Sequence, residues 1–183
     1  MKKLIFATHN QNKVQEVKAV FEDYSIASLA DLGYHQDIAE TENTFVGNAL
    51  LKARHVFEVF KTPVFADDSG LEVTALNGAP GVYSARYAGE EKNHDKNNAK
   101  LLVELASESS RAAQFKTVIA YKDATTEMTF EGIVNGFISE KPTGSGGFGY
   151  DPLFIPEGYD KTFALQINSC NGNWKFAYSH IKI

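Results

Sequence analysis

Short apolar blocks alternate with polar segments along the chain, and the first block leads into a helical pattern. Residues 4–7 are apolar and bounded by polar residues, which is typical of a buried strand. After a polar turn at residues 8–13, Val14, Val17 and Phe21 recur at the i, i+3, i+7 spacing of one helix face. The chain is therefore predicted to open with a strand, a polar turn and a helix.

The next segment predicts a second strand and a longer helix. Residues 25–29 indicate the strand, and after an acidic loop Thr44 is a candidate N-cap of the helix. Apolar residues then recur at i, i+4, i+7, i+8 and i+11, namely Ala49, Ala53, Val56, Phe57 and Phe60. Pro63 ends this helix, and residues 64–66 predict a short strand that leads into Asp67-Asp68-Ser69-Gly70.

The second half of the chain predicts a loop, a helix and a long β-hairpin. In order, we expect a loop at 77–88, a helix at 97–105, hairpin strands at 111–123 and 125–136, a glycine-rich loop at 141–151 and a strand at 153–155. From residue 168 onward the sequence is polar and shows no clear periodicity. Strands mixed with helices indicate an α/β class with a mixed sheet.

Composition and charge narrow the class of protein. A length of 183 residues suits one domain, and 12% aromatic residues exclude a disordered chain. The net charge of −5 argues against a general nucleic-acid or anionic-membrane binder. The single cysteine, Cys170, cannot form an internal disulfide and fits a reducing compartment. Because there is neither a signal-peptide core nor an apolar run of about 20 residues, we expect a soluble, cytoplasmic protein.

The polar turn at residues 8–13 is the first candidate for chemistry. Backbone N–H groups at a helix N-terminus lack internal partners and carry partial positive charge, so they bind phosphate well. Lys13 adds a full charge, and Thr8 and Asn10 would supply short donors. The alternative is a plain Asn-rich turn with a solvated lysine, since the glycines of a Walker loop are missing.

The second candidate is the acidic pair at the end of the strand predicted at 64–66. Neighbouring side chains on a strand point to opposite faces, so only one of Asp67 and Asp68 is expected to face a given site. A carboxylate beside a phosphate-binding turn would suit magnesium, which takes oxygen ligands and shares them with substrate phosphates. The alternative is an Asp-Ser-Gly turn in which the carboxylate accepts backbone hydrogen bonds.

The third candidate is the glycine-rich loop at residues 144–152. It matches G-x-G-x-x-G formally, but Asp151-Pro152 follows with no helical pattern, so we reject a dinucleotide-binding fingerprint. The loop could instead wrap a base or ribose between Phe148 and Tyr150. Alternatively it is a mobile loop with core aromatics. His9, His35, His55 and His94 show no metal-ligand spacing, and Glu40 and Glu42 indicate either magnesium ligands or a solvated acidic loop.

Taken together and in this order, these segments resemble the inosine/xanthosine triphosphate pyrophosphatase family, the Ham1-like enzymes that remove deaminated purine nucleotides. The matching segments are 6–13, 40–41, 44–45, 48–53, 66–71, 78–87 and 146–152. The resemblance implies an elongated mixed β-sheet flanked by helices, with two lobes and a central substrate cleft. It also implies a homodimer that uses Mg²⁺ to hydrolyse ITP, dITP and XTP at the α-phosphorus, giving monophosphate and pyrophosphate.

The resemblance also assigns roles to individual residues. Asp68 would be the general base and, with Glu40, a magnesium ligand. The substrate would be held at the triphosphate by Thr8, His9, Asn10, Gln11, Asn12, Lys13 and Lys52, and elsewhere by Ser69, Phe148, Gly149, Tyr150 and Asp151. The residue before Glu40 is often acidic in the family and is Ala39 here, which leaves the full ligand set open.

The end of the chain departs from the family pattern from about residue 165. Lys175, Ser179 and His180 keep the family's spacing, but Ile181 replaces the expected arginine. Either a divergent tail retains part of the base pocket through Lys175 and His180, or this match is chance. Two alternative functions follow: a related pyrophosphatase for other modified nucleotides, or a nucleotide-binding protein with impaired turnover.

Overall fold

The computed structural model describes residues 2–21 and 23–166, and within them the chain forms six strands and four α-helices. The strands are β1 (Lys2–Phe6), β2 (Tyr24–Ser28), β3 (Val64–Val73), β4 (Ala112–Lys122), β5 (Glu127–Ile138) and β6 (Phe154–Pro156). The helices are α1 (Gln11–Val20), α2 (Phe45–Phe60), α3 (His94–Glu104) and α4 (Phe163–Gln166). The predicted tail residues Lys175, Ser179 and His180 lie outside the described residues.

All six strands form one mixed sheet in the order β2-β1-β3-β4-β5-β6. β1 pairs in parallel with β2 and with β3, and β5 pairs with β6 in antiparallel fashion. Parallel neighbours need a crossover, and α1 and α2 lie in the two connections that supply it. The predicted α/β class with a mixed sheet is therefore confirmed.

The two predicted N-terminal helices are confirmed, with small changes at their ends. α1 ends at Val20, so Phe21 is its C-cap rather than a member of the helical face. Thr44 caps α2 as predicted, because its side chain accepts a hydrogen bond from the N–H of Gly47. This cap fixes where α2 begins, and the apolar residues along the helix determine the face that is buried.

The acidic pair lies in the middle of a strand, which corrects the prediction that the strand ends just before it. β3 does not stop at Ala66 but continues through Asp67-Asp68-Ser69-Gly70 to Val73. Because β3 lies between β1 and β4, it is an interior strand of the sheet, and it remains largely buried up to its end, with Leu71 fully enclosed. The alternative of an Asp-Ser-Gly turn is wrong.

The predicted hairpin is confirmed, and the helix after the central loop starts earlier than expected. Asp123 closes the turn between β4 and β5 by accepting hydrogen bonds from the N–H groups of Thr125 and Thr126. α3 begins at His94, because the Asn93 side chain caps its first turn. The loop predicted at 77–88 contains a short 3₁₀ turn at Gly81–Arg86.

The chain divides into two compact units. Within the described residues, the first unit takes the chain up to Asp68 together with Thr117–Glu131, and the second takes Ser69–Lys116 and the chain from Gly132 onward. Buried residues of the first unit include Phe6, Val17, Ala49, Val56 and Val64. The core of the second includes Leu71, Leu101, Leu105, Ile138 and Phe154. The substrate cleft expected between two lobes stays a prediction.

None of the helices in the described part of the chain combines the length and the apolar character that a membrane span requires.

Candidate active site

The polar turn before α1 is fastened by its own side chains. The Asn10 side chain is the N-cap and accepts hydrogen bonds from the N–H groups of Asn12 (3.0 Å) and Lys13 (3.3 Å). The N–H of Asn10 donates to the Thr8 hydroxyl at 3.2 Å. In these contacts Thr8 and Asn10 act as acceptors rather than as the expected donors, because an N-cap side chain takes up the first amides of a helix.

Lys13 lies beside the first aspartate of the acidic pair. Its Nζ is 2.5 Å from Asp67 Oδ2, and the Asp67 side chain is only 2% exposed. The pair joins the first turn of α1 to the middle of β3, across 54 residues of sequence. The predicted phosphate-binding lysine is therefore held by a buried carboxylate.

Asp68 is the second aspartate, and it is buried and bonded to an amide side chain. The Nδ2 of Asn48, on α2, donates to Asp68 Oδ2 at 3.0 Å. Burial raises the pKa of Asp68 to about 6; nearby Glu40 and Asp67 act in the same direction, while Lys52 and the Asn48 hydrogen bond oppose it. A carboxylate with a pKa close to neutrality is suited to general-base work, because it is ionised at pH 7 yet still basic.

Lys52, one turn further along α2, sits among three carboxylates. Its Nζ is 2.5 Å from Glu40 Oε1, and Glu40 lies in the loop that precedes α2. Burial alone would lower the pKa of Lys52, but Asp67, Glu40 and Asp68 together raise it above its usual value. Lys52 therefore stays protonated. Although neighbouring residues on a strand point to opposite faces, Asp67 and Asp68 both raise the pKa of Lys52.

The donor set suits a hard divalent cation shared with phosphate. Across residues 2–21 and 23–166, no three or more Cys, His, Asp or Glu side chains are grouped so as to hold a metal by themselves. Asp68 and Glu40 nevertheless provide two carboxylates that interact electrostatically. Magnesium commonly binds through one or two carboxylates and completes its shell with water and substrate phosphates. The residues present fit such a site.

Asn48 is a functional candidate that the sequence analysis did not select. It lies on the buried face of α2, three residues after Phe45 and next to Ala49, and is itself buried. A polar residue on the apolar stripe of an amphipathic helix is unusual and signals a partner inside the protein. The position of Asn48 on this apolar stripe was therefore the signal in the sequence that could have identified it.

Of the other residues predicted to contact substrate near the acidic pair, three belong to the polar turn and the start of α1, and Ser69 lies on β3. His9 is in contact with the loop before α2, through its Nε2 at 3.1 Å from the carbonyl oxygen of Gln36. Gln11 and Asn12 form the exposed start of α1. Ser69 follows Asp68 on β3, is half-buried, and belongs to the second unit.

The glycine-rich loop lies in the second unit and is fixed by internal hydrogen bonds. The buried Asp151 carboxylate accepts from the Phe148 N–H at 2.8 Å. Tyr150 is part of the core, and its hydroxyl donates to the Ser84 carbonyl at 2.9 Å. The loop does not lead into a helix, which confirms that the G-x-G-x-x-G match is false. Core packing also describes Tyr150 better than a ring presented for stacking.

Helix α3 supports this loop through Asn98. The Asn98 Nδ2 donates to the carbonyl oxygen of Gly149 at 3.0 Å, and the His94 ring lies 6.5 Å from the Phe148 ring. Within the described part of the chain, Asn98 Oδ1 is buried and has no hydrogen-bond partner. Phe148 is half-buried, whereas Tyr150 is buried, so Phe148 is the aromatic side chain of this loop that a ligand could contact.

A cavity of about 590 Å³ also lies in the second unit, away from the predicted residues. It is lined by Thr74, Ser109, Arg111, Ala112, Ala113, Gln114, Asn135, Gly136, Phe137 and Glu157. Its one arginine donates to the carbonyl oxygens of Ile138 and Ser139, and Gln114 donates to Glu72. Because its main polar groups are taken up by the protein, this cavity is the weaker candidate.

Comparison with known proteins points to one family. The model of the Ham1 family matches residues 4–172. A dITP/XTP pyrophosphatase of Flavobacterium johnsoniae is 52% identical, covering 93% of this chain and 91% of the relative, and one of Bacillus subtilis is 47% identical, covering 90% and 85%. The structure of the Staphylococcus aureus Ham1 protein superposes with a TM-score of 0.86 at 40% identity, covering 97% of this chain and 95% of that one.

Proposed function

Because the chain belongs to the Ham1 family, we propose that it is a nucleoside triphosphate pyrophosphatase that acts on dITP, XTP and ITP. Relatives about half identical over most of their length carry the name dITP/XTP pyrophosphatase, which supports this substrate class. The observation that carries the proposal is the buried Asp68, bonded to Asn48 and close to the Lys52–Glu40 pair. The products would be the monophosphate and pyrophosphate.

We propose that Asp68 accepts the proton of the water that attacks the α-phosphorus. Its pKa of about 6 leaves it ionised at neutral pH, and Asn48 holds one of its oxygens. A positioned general base contributes roughly 10²–10⁴-fold to a rate. Asp68 and Glu40 would hold Mg²⁺, which when bound would offset the negative charge of the phosphates.

The two lysines would stabilise the negative charge that develops on the leaving pyrophosphate. Lys13 and Lys52 are each paired with a carboxylate, at Asp67 and Glu40, so their charged ends are already oriented. Preorganised donors cost little reorganisation when charge develops, which is why they are effective in catalysis. Thr8, His9, Asn10, Gln11 and Asn12 would line the triphosphate beside Lys13.

The nucleoside contacts are a further part of the proposal. Phe148 would contact the base, while Gly149, Tyr150 and Asp151 would set the loop, in keeping with the internal bonds of Tyr150 and Asp151. Ser69 would contact substrate next to Asp68. Lys175 and His180 remain proposed base-pocket residues and lie outside the described part of the chain. By family resemblance we also propose a homodimer in the cytoplasm.

A substrate panel tests the proposal. The purified protein is incubated with Mg²⁺ and dITP, XTP, ITP, dATP, GTP or a modified pyrimidine triphosphate, and pyrophosphate and monophosphate are measured. We expect release from dITP, XTP and ITP, with Asp68→Asn as the inactive control. Selective release from another modified nucleotide would support a related pyrophosphatase instead. Tight binding of dITP without product would support a nucleotide-binding protein and contradict turnover.

A further inference from the structure

Asn48 connects two separate parts of the candidate site. It lies on α2 and is 1% exposed. Its Nδ2 donates to Asp68 Oδ2 at 3.0 Å, and its Oδ1 accepts from the N–H of Glu42 at 3.0 Å. One buried side chain therefore touches both the acidic strand β3 and the loop that carries Glu40.

The orientation of this amide is set by its two partners. A backbone N–H can only donate, so it requires the oxygen of Asn48, and an ionised carboxylate can only accept, so it requires the nitrogen. A rotated amide would place nitrogen against the Glu42 N–H and oxygen against Asp68, and both hydrogen bonds would be lost. Asn48 thus presents a donor to Asp68 in a single geometry.

The loop on the other side of Asn48 is closely packed against the first turn of α2. A Cβ atom at Gly47 would lie 2.7 Å from the Glu42 Cβ, so glycine permits the close approach. The Thr44 hydroxyl accepts from the Gly47 N–H at 3.0 Å. Further along the loop, Glu40 is fixed by Lys52. These contacts fix the position of the Glu42 N–H, which binds the Asn48 oxygen.

We propose that Asn48 is the positioning residue that fixes the Asp68 carboxylate relative to the Glu40 loop. This inference rests on the proposed function, because it concerns the reaction in which Asp68 is the base. Asn48 acts through Asp68 and the loop rather than on the substrate. A misplacement of about 1 Å in a catalytic group can cost on the order of 10²-fold in rate, so a loss of this size is expected when the donor is removed.

Asn48→Asp separates the two hydrogen bonds of Asn48. The aspartate retains an oxygen for the Glu42 N–H but turns a second carboxylate oxygen toward Asp68, and the two repel. We expect kcat for dITP to fall about 100-fold, with a smaller change in KM, and Tm to fall. Asn97→Asp is the matched control, because Asn97 is a buried amide that donates to the Ser84 and Ala85 carbonyls in the second unit. The control should lower Tm and retain kcat.

The exchange Asn48→Asp with Asp68→Asn tests the contact without metal or substrate. It reverses donor and acceptor, so the carboxylate introduced on α2 can accept from both the Glu42 N–H and the amide introduced on β3. We expect the Tm lost in Asn48→Asp to return in the double variant, which remains inactive.

Wild-type kcat in Asn48→Asp, or no recovery of Tm in the exchange, would overturn the inference. An inactive wild-type protein on the whole panel would instead overturn the proposed function.

Discussion

Asn48 in the first unit and Asn98 in the second are buried asparagines that fix neighbouring groups in different ways. Asn48 is bonded at both ends of its amide, to Asp68 and to the Glu42 N–H. Asn98 is bonded through Nδ2 to the Gly149 carbonyl, while within the described residues its buried Oδ1 has no partner. Asn48 therefore joins a carboxylate side chain to a backbone N–H, whereas Asn98 bonds to a backbone carbonyl alone. The charged side chains of the candidate site, Asp68, Lys52 and Glu40, lie on the Asn48 side of this comparison.

The largest effect on activity should come from substitutions in the acidic pair, Asp67 and Asp68. Asp68→Asn is expected to lower kcat for dITP by about 10²–10⁴-fold with little loss of nucleotide binding, because it removes the general base. Asp67→Asn should be milder in kcat and act mainly on KM, because Asp67 holds Lys13. Steady-state kinetics and nucleotide binding measure both. A lower kcat in Asp67→Asn than in Asp68→Asn would contradict these assignments.

The next largest effect is expected when the ion pair between Lys13 on α1 and Asp67 on β3 is broken. Lys13→Met removes the cation from the buried Asp67 carboxylate. Removing one partner of a fully buried ion pair typically lowers the free energy of unfolding by about 3–5 kcal/mol. Because Lys13 is partly exposed, we expect a smaller loss of about 1–3 kcal/mol. Urea unfolding should show this loss, and kcat/KM should fall as well. Lys13→Met with Asp67→Asn should restore part of the stability but not the activity. Unchanged stability in Lys13→Met would show that the pair contributes little to folding.

A direct test of the comparison is to truncate both amides. Asn48→Ala removes two hydrogen bonds and Asn98→Ala removes one, so the free energy of unfolding should fall by about 1 kcal/mol more in the first variant. Only Asn48→Ala is expected to lower kcat strongly. Urea titrations at constant pH give both values. Equal losses in the free energy of unfolding would show that the second hydrogen bond of Asn48, which Asn98 lacks among the described residues, adds nothing to stability.

The smallest effect concerns the exposed turn of the first unit. Hydrogen bonds from Thr125, Tyr121 and Thr126 lower the pKa of Asp123 from 3.8 to about 2. A depressed carboxylate pKa stabilises the fold above the unfolded value, so this contribution is complete above about pH 4 and is lost as pH falls toward 2. In acid unfolding, Asp123→Asn should remove this part of the pH dependence. An identical pH dependence in the variant would exclude the turn as its source.

Much of the fold could be predicted because the signals are local. The i, i+3 spacing after Lys13, the Thr44 cap and the β-branched runs around Asp123 each depend on a few neighbouring residues. The end of β3 could not be predicted in this way. Polar residues normally end a strand, and whether they continue depends on partners such as Lys13 and Asn48 from other elements.

The residues of the candidate site likewise fall into those that the sequence indicated and those that only the tertiary structure revealed. Asp68, Lys52 and Glu40 were selected from the sequence through the family resemblance, and the structure brings them into one electrostatic cluster. Asn48 was missed, because an amide carries no motif of its own and its role depends on what faces it. For Tyr150 the sequence left open core packing or base stacking, and the structure places it in the core.

Patterns among neighbouring residues were sufficient to establish the α/β class, the Thr44 cap, the hairpin and the family to which the chain belongs, because propensities, caps and ordered motifs act over short stretches. The pairing of charges, in contrast, follows from tertiary contacts. Asp67 takes Lys13 from 54 positions away, and Asp68 takes Asn48 from 20. Those partners depend on the strand order that puts β3 next to β1, and on the face that α2 buries. Burial then raises the pKa of Asp68 toward neutrality, because a low-dielectric site disfavours the charged form.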